Sequence, residues 1–115
     1  MLKKQIIVKT QFEALHCWDT IPENHPTWFL RNPHRHIFHI ELRFTVQDSD
    51  REKEFIDYKH QVDTFLNRYF LQDQKSGIRN IGSRSCEHLA ELLLIEFHAD
   101  WVQVLEDGEM GAIVE

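Results

Sequence analysis

The stretch "NPHRHIFHIELRFTV", residues 32–46, decides how the chain is read. On a strand, successive side chains point to opposite faces. One row is then His34, His36, Phe38, Ile40, Leu42, Phe44 and Val46, and the other is Arg35, Ile37, His39, Glu41, Arg43 and Thr45. Such an apolar row predicts a strand packed on a core. The row nevertheless opens with two histidines.

Residues 5–16 alternate in the same way, with Ile6, Val8, Thr10, Phe12, Ala14 and His16 on one face. If the two strands pair antiparallel, the end of the first lies beside the start of the second. His16, His34 and His36 then converge at one end of the sheet, on its covered face. Three histidines with a fourth position open is the ligand pattern of a catalytic zinc. The competing reading is three ordinary histidines, each satisfied by hydrogen bonds in or near the core.

The connection between the strands, residues 17–33, is rich in Pro and Asn and long for a hairpin loop, a length often found in functional loops. From Asp57, a candidate N-cap, the period changes: Tyr58, Val62, Phe65, Leu66 and Tyr69 predict an amphipathic helix. The run "QDQKSGIRNIGSR" reads as a loop. Ser85 is placed to cap a second helix, "CEHLAELLLIEF", and the end of the chain reads as a hairpin around Asp107-Gly108. The expected class is α+β: strand, strand, helix, helix, strand, strand, a four-stranded antiparallel sheet with two helices on one face. A sheet with two open edges also predicts a homo-oligomer.

A chain of 115 residues fits one domain, here residues 1–115. The net charge of −6 and pI near 5.7 exclude a polybasic nucleic-acid or membrane-surface protein. No apolar run reaches the ~18 residues that span a bilayer, and the N-terminus lacks the form of a signal peptide. Two cysteines, Cys17 and Cys86, make no disulfide framework, so a reduced, cytoplasmic protein is expected. Eight histidines are the unusual feature.

"FEALH" (12–16), "PENH" (22–25), "HRH" (34–36) and "FIDY" (55–58), in this order, resemble the 6-pyruvoyltetrahydropterin synthase and 6-carboxytetrahydropterin synthase family. The resemblance covers nearly the whole chain. It implies a T-fold whose trimers close a barrel and stack into a hexamer, and a zinc ion (Zn2+) held by His16, His34 and His36. It further implies that Glu106 anchors a pterin through its 2-amino-pyrimidinone edge, and that Glu87, with Ser85 and Cys86, occupies the family's T-S-E position beside the substrate. The implied activity is a lyase acting on dihydroneopterin triphosphate, on the route to queuosine and related deazaguanines.

The departures fall on proton transfer. The place of the family's cysteine goes to Thr27 or Leu30, and its Asp-His pair to Asn67 and Arg68. A threonine hydroxyl is a poor base, and Arg stays protonated. His25 is the best replacement by its ordinary pKa, which makes His25 and Thr27 the candidate catalytic residues. Cys17 reads as structural. The alternative to the lyase is an altered or inactive relative that binds zinc and a pterin- or purine-like ligand.

Overall fold

The computed structural model describes residues 2–115. Strand β1 (Lys4–His16) pairs antiparallel with β2 (His34–Val46) over its whole length, and a short 3-10 turn (Trp28–Arg31) lies in the connection. Helix α1 (Phe55–Tyr69), the short strand β3 (Arg79–Asn80) and helix α2 (Cys86–Phe97) follow, then the hairpin of β4 (Trp101–Glu106) and β5 (Met110–Val114). The sheet order is β3-β1-β2-β4-β5.

The sheet is therefore five-stranded and mixed, which corrects the expected four antiparallel strands. The added strand β3 runs parallel to β1 through two pairs, Ala14 with Arg79 and Leu15 with Asn80. Two residues are too few to carry an alternating pattern, so this segment reads as loop in the sequence. A second correction concerns α1. Its cap is Glu54, whose carboxylate accepts the Ile56 N–H at 2.8 Å, and Asp57 sits inside the first turn. The apolar period begins later than the helix because Phe55 and Ile56 are exposed and lie off its buried stripe. Ser85 caps α2 as expected: its hydroxyl accepts the His88 N–H at 3.2 Å, and the His88 ring accepts the Ser85 N–H in return.

Both helices cover the same face of the sheet. Val62 and Leu66 of α1 and Leu89, Ala90 and Leu93 of α2 pack on Val8, Phe12, Phe38, Ile40, Leu42, Val102 and Val104. Of these strand residues, Val8, Phe12, Phe38, Ile40 and Leu42 belong to the single rows that the alternation predicted. Among the described residues, no helix is long and apolar enough to cross a membrane.

Candidate metal centre

The β1–β2 register sets His16 opposite His34 and Ala14 opposite His36. All three imidazoles share the helix-covered face, at the end where the apolar row runs out. Their ring centroids lie 4.5, 5.1 and 5.3 Å apart, with planes inclined at 67°, 84° and 82°. One nitrogen from each ring can be chosen so that all lie within 4.8 Å of one another. Imidazoles sharing a tetrahedral zinc at Zn–N of 2.0–2.1 Å have centroids about 5 Å apart, so the cluster has the right size.

Hydrogen bonds fix which nitrogen faces inward. His16 Nδ1 lies 2.9 Å from the Arg84 carbonyl, His34 Nδ1 2.8 Å from the Asn32 carbonyl, and His36 Nδ1 2.7 Å from a carboxylate oxygen of Asp107. Each partner is an oxygen acceptor, so each Nδ1 carries the hydrogen, and in the neutral imidazole Nε2 keeps a bare lone pair. Orienting a ligand histidine through its other nitrogen is the usual support of a metal site. Burial lowers the His16 pKa, against the opposing pull of the Arg84 carbonyl, and so favours the neutral imidazole that a metal requires. His16 is 8% exposed, and its Nε2 is buried without a hydrogen-bond partner. A buried lone pair without a partner is costly, and a divalent ion would supply what it lacks.

Two acidic side chains at the end of β4 complete the surroundings. Glu106 stands opposite Phe38 in the sheet, with one oxygen 3.4 Å from His16 Nε2 and the other 3.4 Å from His36 Nε2. Asp107 begins the turn to β5, where it and Gly108 have φ of 54° and 74°, the positive pair of a type I′ turn. This turn aims the Asp107 carboxylate back at β2, where it accepts the Ile37 N–H at 3.0 Å as well as the His36 hydrogen. The Ile37 amide, and then His36, lower its pKa and keep it ionised.

His16, His34 and Glu106 border a chamber of about 560 Å³, a size suited to a small organic molecule. His16, His34, Glu87 and Glu106 line it together with Cys86 and Trp18. Burial, with the charges of Glu106 and Glu87, pushes the Cys86 thiol up to about 12, so Cys86 stays a neutral thiol and is no nucleophile.

The structure thus brings together His16, His34, His36, Glu87 and Glu106, and leaves out His25 and Thr27. Neither of those two lines the chamber. The His25 ring packs edge-on against Trp18, and its Nδ1 accepts the Thr27 N–H at 3.1 Å and lies 2.9 Å from the Thr27 hydroxyl. The pair braces the loop. Arg68 lines a separate groove between the helices, and Arg35 pairs with Glu13. Cys17, read as structural from strand alternation, does line the chamber, since β1 ends at His16 and alternation no longer governs the next residue. Sequence reasoning missed Asp107 in this role because Asp-Gly is so strong a turn signal that it accounts for the residue alone.

Asp107→Ala is expected to weaken zinc binding about 10–100-fold, as removal of a group that holds a ligand histidine typically does. Competition against a chromophoric chelator measures this. Unchanged affinity would mean that the Asp107–His36 hydrogen bond contributes nothing to the centre.

No family model matches the sequence, and no curated protein does. The crystal structure of an uncharacterized protein from Wolinella succinogenes superposes with a TM-score of 0.62. The match covers 99% of this chain and 98% of that one at 14% identity. The two share a fold.

Proposed function

We propose that this protein is a zinc-dependent T-fold protein similar to 6-carboxytetrahydropterin synthase, acting on dihydroneopterin triphosphate in the chamber beside the histidines. The observation that carries this reading is the set of three imidazoles, each hydrogen-bonded through Nδ1 to an oxygen, with one nitrogen from each ring within 4.8 Å of the others and His16 and His34 at the chamber wall. When bound, zinc supplies a Lewis acid that makes a substrate hydroxyl easier to deprotonate. His16, His34 and His36 hold the ion. Glu106 offers two carboxylate oxygens to the N–H edge of a pterin-type ring, with Glu87 on the same wall. The chain pairs with copies of itself in this reading. The outer edge of β1 from Lys4 to Glu13 is unpaired by β3, and β5 leaves Met110 and Ile113 exposed at the other edge. A trimer or hexamer closes both.

One observation favours a second reading, a relative that binds zinc and a pterin- or purine-like ligand without the lyase reaction. His25 and Thr27 are bonded to each other outside the chamber, and Cys86 inside it stays protonated. Incubating the zinc-loaded protein with dihydroneopterin triphosphate separates the two. Release of inorganic triphosphate and acetaldehyde is the expected result. Saturable binding without product selects the second reading, and no binding at all overturns both.

A further inference from the structure

Three histidine ligands leave a fourth position on the ion. We propose that in the ligand-free protein Glu106 takes it, making a three-histidine, one-carboxylate centre. This inference rests on the three-histidine zinc reading above.

The contacts of Glu106 have the spacing of neighbouring ligands. Its oxygens lie 3.4 Å from His16 Nε2 and 3.4 Å from His36 Nε2. A normal N–H···O hydrogen bond spans about 2.7–3.2 Å, so both contacts are too long for one. Two donors on a tetrahedral zinc at 2.0–2.1 Å lie about 3.4 Å apart, which is the spacing found. The chemistry agrees with the distances. With both rings neutral and the hydrogen on Nδ1, each contact sets a carboxylate lone pair against a bare imidazole lone pair. Such contacts repel unless a cation lies between them. A proton on one ring relieves one contact; a metal ion relieves both and engages the orphaned His16 Nε2 as well.

The backbone holds Glu106 there. Its pairing opposite Phe38 sets it on the same face as the histidines, and the turn that follows is tied to β2 through Asp107. The end of β4 therefore supplies one carboxylate behind His36 and one in front of it. Cys86 stands 3.8 Å from Oε1 and donates its S–H there, a neutral partner that helps hold the carboxylate in place. The consequence is functional. A bound carboxylate would offset part of the ion's charge in the resting protein, and a ring that drew Glu106 onto its own N–H edge would free the fourth position.

Cobalt(II) substitution tests this. The visible absorption of the cobalt protein reports donor set and geometry, and chelator competition reports affinity. Glu106→Gln and Glu106→Asp are each expected to change the cobalt spectrum and to lower affinity at least as much as the about 10–100-fold loss seen when a ligand's supporting group is removed. Glu41→Gln, on the uncovered face of the sheet where Glu41 pairs with Lys9 and Arg43, is expected to change neither. If both Glu106 variants keep the wild-type spectrum and affinity, Glu106 is no ligand, and the three-histidine centre stands without it. If the wild-type protein binds neither cobalt nor zinc, the centre itself fails and takes this inference with it.

Discussion

Zinc at a thousandfold excess over its dissociation constant is expected to raise the Tm of the wild-type protein by about 10 °C or more and to leave that of His16→Ala where it was. An ion that binds only the folded chain stabilises it by about 4 kcal/mol at that excess. For domains near this size, each kcal/mol moves Tm by about 4 °C or more. The ligands come from two strands and meet only in the folded register, so the unfolded chain offers no comparable site. His16→Ala removes the one ligand whose Nε2 is both buried and unpartnered. Each variant is compared with its own metal-free form, which separates loss of metal from loss of packing.

The same melting experiment has a pH dependence whose sign is fixed. Burial lowers the His16 pKa in the folded chain below its ordinary value. As pH falls through about 6.5, the unfolded chain takes up a proton before the folded one does, and the folded state loses stability. The metal-free Tm should therefore fall on acidification from about pH 7 to about pH 5. The contribution is lost progressively as pH passes from the unfolded pKa down to the folded one. Asp107, whose pKa is also lowered, acts in the same direction but near pH 4 and below, in a separate window. Zinc competes with protons for the same nitrogens, so its increment shrinks in the same acid range. A metal-free Tm that rises as the pH drops from about 7 to about 5 would mean that Glu106 stabilises a charged His16 in the folded protein, the opposite sign.

The second large effect is expected from Phe38→Ala. Phe38 is fully buried in the middle of the sheet, and its ring stands edge-on to those of both His16 and His36, with centroids 5.2 and 5.9 Å away. Truncating a buried Phe typically costs about 3–5 kcal/mol, a large share of the total for a domain of this kind. Denaturant melts should show that loss. The variant should also bind zinc more weakly, because two ligand rings lose the wall that limits their rotation. A stability loss of this size with unchanged zinc affinity would show that the hydrogen bonds at Nδ1 suffice to hold the rings.

The legible parts of the fold share a physical basis. Long amphipathic elements wrote their faces into the sequence: Val8, Phe12, Phe38, Ile40, Leu42 and Phe44 alternate because each strand has one covered face, and that face is where the structure buries them. Pairing ends then follow, which is why alternation alone could place His16, His34 and His36 together. Features fixed by tertiary contact left no such trace. Strand β3 exists because Ala14 and Leu15 offer a free edge to Arg79 and Asn80, not because those residues favour a strand. The backbone carbonyls of Asn32 and Arg84 that orient two of the clustered histidines have no side-chain signature at all. His25 drew attention by its ordinary pKa and its loop, yet neither property says where a ring points, and it points at Trp18.

X-ray absorption at the zinc edge of the reconstituted, ligand-free protein tests the central claim most directly. One zinc per chain is expected, with nearest neighbours of nitrogen and oxygen only at about 2.0–2.1 Å and the outer scattering of three imidazoles. A sulfur neighbour at about 2.3 Å, which would put Cys17 or Cys86 on the ion, or metal well below one per chain, would contradict it.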